Sequence, residues 1–479
     1  MASKVIKLIT HINTAFYDSA YSQKILIENS IFREPLSEEG KINEIKDVFK
    51  KISKVSLTSV SLQDNNRYFH IAFDDYLEYK RNEQDKLIFE IDNKNENYFI
   101  STGLYCGVIN LGDKLPQIEI RTGYSDLLLR RMLNYCCGIY ADTNTEKSTS
   151  ENESIYSLLI QYLYLISLRK VANKAIPRRY LYLKERGYDI RGNIDINEYI
   201  NKDIIAFDKK ITYQYIKQLE IQPIIDVLHA AMNSCKIALK NDAMPQVGKF
   251  QSYLSELYSG EKPSRRTINN AMNEKCLKNS LYADFKRPLE YARILLNNND
   301  LNSGKDKKTP GVSGFLVDAS FLWEMYLCNL MRLNLTDWEI ESQSEITFYE
   351  TTFYKTTNYP DFVLRHKKTR DVYILDAKFK RMTYHKIDVD NDDLQQLHSY
   401  SYFFHLKEGN HFKGSGLIYP TKGDKPSELK NIDAIFGLPQ TKVKFGIFSL
   451  KDPAECETIV ANEKKFITSL RDFLNTRIT

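Results

Sequence analysis

The chain has 479 residues, 42% apolar and 27% charged, which describes a soluble globular protein too long for a single ordinary core. Its 67 basic and 62 acidic residues leave a net charge of +5, which permits a local basic groove for nucleic acid without demanding one. Seven scattered cysteines lack any Cys-x2-Cys pair or Cys/His cluster, so they argue against a structural zinc or a disulfide framework and suit a reducing cytosol.

In chain order, the first nineteen residues lack the uninterrupted apolar core and the cleavage site of a secretory signal. Strand-like runs follow at 67–73, 86–91, 98–112 and 117–122, rich in β-branched and aromatic residues. A helix is predicted over 125–140 with Ser125 as its N-cap. Gly107 and Gly112 stand at P-loop spacing, but Asp113 occupies the lysine position and would repel phosphate, so no nucleotide site is expected.

The polar stretches 142–154 and 297–311 read as joints, dividing the chain into a β-rich part (1–141), a helical middle region (155–296) and an α/β part (311–479). Middle-region helices are predicted at 155–173, 215–240, 246–258 and 281–297, with a basic segment at 177–196. The most apolar helix, 155–168, falls short of the ~20 residues a bilayer span requires, so a cytoplasmic protein without membrane contact is expected.

The chemistry concentrates in "NYPDFVLRHKKTRDVYILDAKFKR", 358–381, two extended runs joined by a basic turn. Residues two apart in a strand share a face, so Asp376 and Lys378 point together, and the turn at 366–371 brings Asp361 beside Asp376. Two adjoining carboxylates repel unless cations compensate. Lys378 is one cation; Mg²⁺, which binds through one or two carboxylates plus phosphate and water, is the natural second. Such a set suits metal-assisted phosphodiester hydrolysis. Upstream, 315–335 has helical apolar spacing, with Leu316, Ala319, Trp323, Leu327 and Leu330 on one stripe and Glu324 at its edge. Downstream, 391–404 reads as a helix with acidic N-terminal residues, on which Gln396 and Tyr400 share a face.

The ordered set Glu324, Asp361, Asp376-Ala377-Lys378 and Gln396-x3-Tyr400 resembles the PD-(D/E)xK nuclease core in its variant with a downstream Gln-x3-Tyr motif. Within that superfamily the chain looks like the McrC nuclease subunits of modification-dependent restriction systems, including LlaJI-type systems. The match covers roughly 315–420, through "FLVDASFLWEMY", "DLQQLHSY" and "GLIYP", with Gln395 where the family has an aromatic. Weaker similarity extends to "GVINLGDKLPQIEIRTGY", "LLLRRMLNY" and "RGNIDI", with Thr122-Gly123 in place of the usual Pro-Lys pair.

The resemblance implies an α/β and α+β multidomain fold ending in a mixed sheet flanked by helices. It implies Asp361, Asp376 and the Ala377 carbonyl as Mg²⁺ ligands assisted by Glu324, Lys378 as the catalytic lysine, and Gln396 and Tyr400 as supports for the strand or the DNA. It also implies a partner, an McrB-like AAA+ GTPase hexamer contacted by the N-terminal part. Three functions compete: an Mg²⁺-dependent DNA endonuclease subunit of a GTP-driven restriction system, a stand-alone or RecB-like repair nuclease, and a catalytically retired DNA-binding subunit. The last would bind phosphates through the basic runs 178–192, Arg265-Arg266 and 366–370.

Overall fold

A computed structural model describes residues 5–9, 54–56, 69–71, 87–94, 97–110, 117–137, 155–206, 208–235, 245–301, 313–350, 355–379, 389, 391–421, 434–435, 438–453 and 456–476. The joint at 142–154, residues 302–311 of the second joint, and Asp113 with Lys114 lie outside them. The chain forms two compact units, residues 1–156 with 302–479 and residues 157–301. No described helix is long and apolar enough to cross a membrane.

The first unit holds strands β1 (Val5–Ile9), β2 (Lys54–Ser56), β3 (Phe69–Ile71), β4 (Leu87–Lys94), β5 (Asn97–Thr102), β6 (Tyr105–Asn110) and β7 (Gln117–Arg121), followed by helix α1 (Asp126–Cys137). Ser125 Oγ accepts from the Leu128 amide at 3.2 Å, so the expected cap forms. Strands β2, β4 and β5 make one antiparallel sheet. A second sheet runs β1-β7-β6-β11-β3, and its β11 (Ser313–Asp318) comes from far downstream.

That strand corrects the expectation of a helix from residue 315. Phe315–Asp318 pairs with Val108–Tyr105 of β6, and the helix begins only at α7 (Ala319–Asn334). The reason is local: the Asp318 carboxylate caps the helix, accepting from the Ser320 and Phe321 amides at 2.9 and 3.2 Å. Leu316 is therefore a buried strand residue, whereas Ala319, Trp323, Leu327 and Leu330 are buried on α7. The segment expected to open the third part thus completes the sheet of the first.

After α7 come β12 (Trp338–Ser342), β13 (Ile346–Glu350), β14 (Lys355–Asn358), β15 (Phe362–His366), β16 (Val372–Ala377), α8 (Asn391–Glu408), β17 (Phe412–Thr421), β18 (Lys444–Lys451) and α9 (Cys456–Asn475). Strands β13 and β14 pair only with each other among the described residues. The main sheet runs β12-β15-β16-β17-β18, antiparallel through the β15–β16 hairpin and parallel from β16 to β18. Every residue of β16 is buried, as a strand covered on both faces requires. On one face Ile374, Leu397, Tyr400, Phe404, Leu417 and Tyr419 share a core beneath α8. On the other, Trp323 of α7 meets Phe379, and Phe473 of α9 meets Tyr373 and Phe448. The Phe448 ring also explains two glycines, because a Cβ at Gly416 or Gly446 would come within 2.7 Å of it.

The second unit contains α2 (Ile155–Val171), β8 (Arg178–Gly187), β9 (Asn193–Ile194), β10 (Ile211–Glu220), α3 (Gln222–Ser234), α4 (Pro245–Leu257), α5 (Arg265–Met272) and α6 (Lys286–Leu301). Helix α3 is its hub, packing against α4, α5 and α6 and receiving a bond from Tyr164 of α2 to its Leu228 carbonyl. The middle region is more than helical. Strands β8, β10 and β9 form an antiparallel sheet, and residues 215–220, expected in a helix, belong to β10. Thr212, Tyr213, Tyr215 and Ile216 favour a strand, and Pro223 in the first helical turn marks where the helix can start.

Candidate functional site

Strands β15 and β16 bring the sequence-predicted residues together. Their register sets Phe362 opposite Leu375, so Asp361, one residue earlier, arrives at the Asp376–Ala377 end. The contact is direct: Asp361 Oδ2 accepts from the Ala377 amide at 2.8 Å. The Lys378 amide continues the β16–β17 ladder by donating to the Ile418 carbonyl at 2.8 Å. Asp376 and Lys378 share the face beneath α8, as the period-two reading requires.

The side chains form a connected network. Lys378 Nζ stands 2.6 Å from Asp376 Oδ2, donates to Gln396 Oε1 at 2.7 Å, and lies 3.7 Å from Asp393 Oδ1. Gln396 Nε2 donates to the Tyr400 hydroxyl at 3.0 Å, and that hydroxyl reaches the Tyr359 carbonyl at 3.5 Å. Gln396 and Tyr400 thus brace the lysine from α8. On the opposite side, Glu324 Oε2 accepts from Gln343 Nε2 at 2.7 Å, while the Gln343 amide donates to the Asp361 carbonyl at 3.1 Å.

The electrostatics is lopsided. Burial, then Glu324 and Asp376, push the Asp361 carboxyl well above the ordinary carboxylate value, against the pull of Lys378 and the Ala377 amide. Burial works against the Lys378 ammonium, yet Asp376, Asp361 and Asp393 outweigh it and lift Lys378 above the ordinary lysine value. Burial pushes the Tyr400 phenol up to about 12, so it stays a neutral hydrogen-bonding group. Asp376, Asp361 and Asp393 therefore act on the Lys378 ammonium, and Glu324 acts on Asp361.

Among the described residues no three His, Cys, Asp or Glu side chains are gathered into a ready-made metal cage. Asp361 accepts from a backbone amide, Glu324 accepts from Gln343, and Asp376 is ion-paired with Lys378. A two-carboxylate Mg²⁺ site does fit. It needs only one or two carboxylates, and the buried Asp376 Oδ2 has an ion pair with Lys378 but no aligned hydrogen-bond donor.

Two members of this network escaped the sequence reading. Asp393 is 4% exposed, accepts from the Tyr419 hydroxyl at 3.2 Å and faces Lys378. Its signal was available: Asp393, Gln396 and Tyr400 stand at i, i+3 and i+7 on one helix face. Gln343 lies in the turn after β12 at φ 56°, where nothing in the sequence marks a link between two carboxylate-bearing segments.

The basic runs behave differently. Arg178 pairs with Glu220, Arg179 with Glu274, Lys184 with Asp195 and Glu198, and Arg186 with Asp203 and Asp208. In the 366–370 turn, His366 and Thr369 bond locally and Lys367 donates to the Thr336 carbonyl. These cations are occupied within the chain, which weakens their use as phosphate clamps.

No curated protein sequence matches the chain. Among solved structures, a half-complex from the tetradecameric assembly of Thermococcus gammatolerans McrB AAA+ hexamers with bound McrC is similar at 16% identity and a TM-score of 0.48, over 98% of this chain and 100% of that one. A cryo-EM structure of the Thermococcus gammatolerans McrBC complex aligns at 16% identity and a TM-score of 0.27, over 69% and 88% of the two chains. The assignment rests instead on residues 100–420, which take in the β6–β7 and β15–β16 hairpins and every residue of the Asp361–Lys378 network. That stretch matches the family of the McrBC 5-methylcytosine restriction system component, and the chain belongs to it.

Proposed function

We propose that the chain is an McrC-like, Mg²⁺-dependent DNA endonuclease subunit with a PD-(D/E)xK core. It would hydrolyse phosphodiester bonds in a two-component restriction system driven by an AAA+ GTPase partner. The observation that carries the reading is the meeting of Asp361, Asp376 and Lys378 at one end of the β15–β16 hairpin, where Glu324 and Asp376 crowd the Asp361 carboxyl. Family membership supports the restriction setting. The AAA+ partner is inferred from the resemblance to McrC subunits together with membership of the restriction-system family.

Asp361, Asp376 and the Ala377 carbonyl would hold the metal, with Glu324 assisting. A bound Mg²⁺ would polarise the phosphate and make water a stronger nucleophile at neutral pH. The chain's own residues do the rest. The Ala377 amide fixes one oxygen of Asp361 and leaves the other for a ligand. Asp376 and Asp393 keep Lys378 charged, and Gln396 aims its ammonium, so that it can orient the attacking water or stabilise charge growing on the phosphate. Tyr400 fixes Gln396 in turn.

The test is cleavage of long methylated and unmethylated DNA by the chain with its partner, GTP and Mg²⁺, beside Asp376→Asn. Cutting that disappears in the variant supports the assignment, and equal cutting by both proteins removes it. GTP-independent cutting by the chain alone would move the reading to a stand-alone nuclease.

A further inference from the structure

The turn between β7 and α1 reaches the end of the catalytic strand. Tyr124 is buried, with its ring centroid 5.1 Å from that of Phe379, the residue after Lys378. Phe379 in turn meets Trp323, the residue before Glu324, at 5.9 Å. The Tyr124 hydroxyl donates to the Pro420 carbonyl near the end of β17 at 3.1 Å. Next to it, the Ser125 amide and hydroxyl both donate to Asp452, at 2.9 and 2.5 Å, and the Asp452 amide donates to the Thr421 carbonyl at 2.7 Å. Thr122 closes the turn, its hydroxyl donating to the Tyr124 carbonyl at 3.3 Å.

We propose that Tyr124 is a positioning residue that fixes the end of β16 and the N-terminal half of α7 through Phe379 and Trp323, and so sets where Lys378 and Glu324 stand. The inference rests on the nuclease reading for its functional consequence, but its geometry is independent of that reading. Both site residues are chain neighbours of rings in one aromatic row, in which Tyr124 packs against Phe379 and Phe379 against Trp323. Aromatic contacts of this kind are directional, so removing the Tyr124 ring takes away a contact that sets the tilt of Phe379. The backbone of Lys378 is held by a ladder bond to Ile418, beyond the last residue of β16, where a strand most easily frays.

The experiment compares the full chain with Tyr124→Leu, Tyr124→Phe and Phe473→Leu. The last removes a ring from the far end of the same sheet, beside Tyr373, and serves as a control for general loss of packing. Amide exchange is followed at Ala377 and Lys378, with cleavage and DNA affinity measured alongside. Tyr124→Leu should lose roughly tenfold or more of the exchange protection at those two amides. It should also lower kcat about tenfold with DNA affinity unchanged, a loss confined to the transition state. Tyr124→Phe should keep most of both, and Phe473→Leu should lower the Tm without singling out residues 377–378.

Unchanged protection at 377–378 in Tyr124→Leu overturns the proposal whether or not the protein cuts DNA. Loosened amides with an unchanged kcat overturn it as well. Failure of the nuclease reading shows separately, as Asp376→Asn cutting like the parent protein, and the exchange arm still decides whether Tyr124 holds the strand.

Discussion

Arg131 and Lys378 are both cations in the interior of the first unit, and they are held in opposite ways. Arg131 donates from Nε and Nη2 to the two oxygens of Glu463 at 2.7 and 2.8 Å, and Tyr326 donates to the same carboxylate at 2.8 Å. One guanidinium meets one carboxylate in a fork, and this cluster ties α1, α7 and α9 together. Lys378 instead answers to Asp376, Asp361 and Asp393, with Glu324 acting on Asp361 from α7. The first cluster is closed around one ion pair. The second sets several carboxylates around one ammonium, and a divalent cation would ease the repulsion among them.

The largest effect should come from breaking the open cluster. Lys378→Ala or Asp376→Asn should reduce DNA cleavage by a thousandfold or more, about 4 kcal/mol of barrier, with the fold retained by circular dichroism. Removing Glu324, which touches the network through Gln343 and Asp361, should cost less than removing Asp376 under the same assay.

Breaking the closed cluster should do the reverse. Arg131→Met leaves Glu463, 5% exposed, as a buried carboxylate without its cation, and should cost about 3 kcal/mol in denaturant-induced unfolding. The double variant Arg131→Met/Glu463→Leu should recover most of that loss, because an apolar pair leaves no stranded charge. A single and a double variant of equal stability would show that the pair contributes through its charges rather than suffering from them.

Much of this was legible in the sequence because it depends on short-range periodicity. The facing of Asp376 and Lys378 follows from the strand repeat, and the alignment of Gln396 with Tyr400 follows from the helix repeat. What was lost depended on distance along the chain. Nothing near residue 315 announces that Phe315–Asp318 will pair with β6 some two hundred positions earlier, and apolar spacing alone read the segment as the start of α7. Residues 215–220 failed for the complementary reason, since their partner is β8 and strand pairing is not encoded locally. Gln343 was invisible because its role comes from where a turn delivers it. Asp393 was visible and was passed over as an ordinary acidic residue of a helix N-terminus.

Lys444 sharpens the comparison as a third buried cation, one that forms no ion pair among the described residues. It donates to the Phe473 and Thr476 carbonyls at the end of α9 and lies 4.9 Å from the ring centroids of Tyr373 and Phe473. Burial pushes its ammonium down from 10.5 to about 8. Between those values the unfolded chain binds more protons than the folded one, so stability should rise as pH climbs from about 8 towards 10.5, and this group should contribute no slope below 8. The amplitude is on the order of 3 kcal/mol, and the measurement is the difference between the parent protein and Lys444→Met in unfolding experiments across that range.

The smallest effect tests the crowding of Asp361 by Glu324 and Asp376. If Asp361 is kept for chemistry rather than for folding, replacing it with an amide of the same shape should stabilise the protein in the absence of divalent cations. The side-chain carbonyl introduced by Asp361→Asn would still offer an oxygen to the Ala377 amide, so the backbone bond at 2.8 Å can persist. The repulsion from Glu324 and Asp376 would vanish. The expected gain is about 1 kcal/mol, the usual size when a crowded functional group is neutralised, and cleavage should be lost at the same time. Saturating Mg²⁺ should then narrow or reverse the gap, because a cation that binds only the folded parent stabilises it and not the variant. Matching shifts for both proteins on adding Mg²⁺ would mean that Asp361 holds no metal, and its crowding by two other carboxylates would then need a structural explanation that the Arg131–Glu463 pair shows to be unnecessary elsewhere in the same unit.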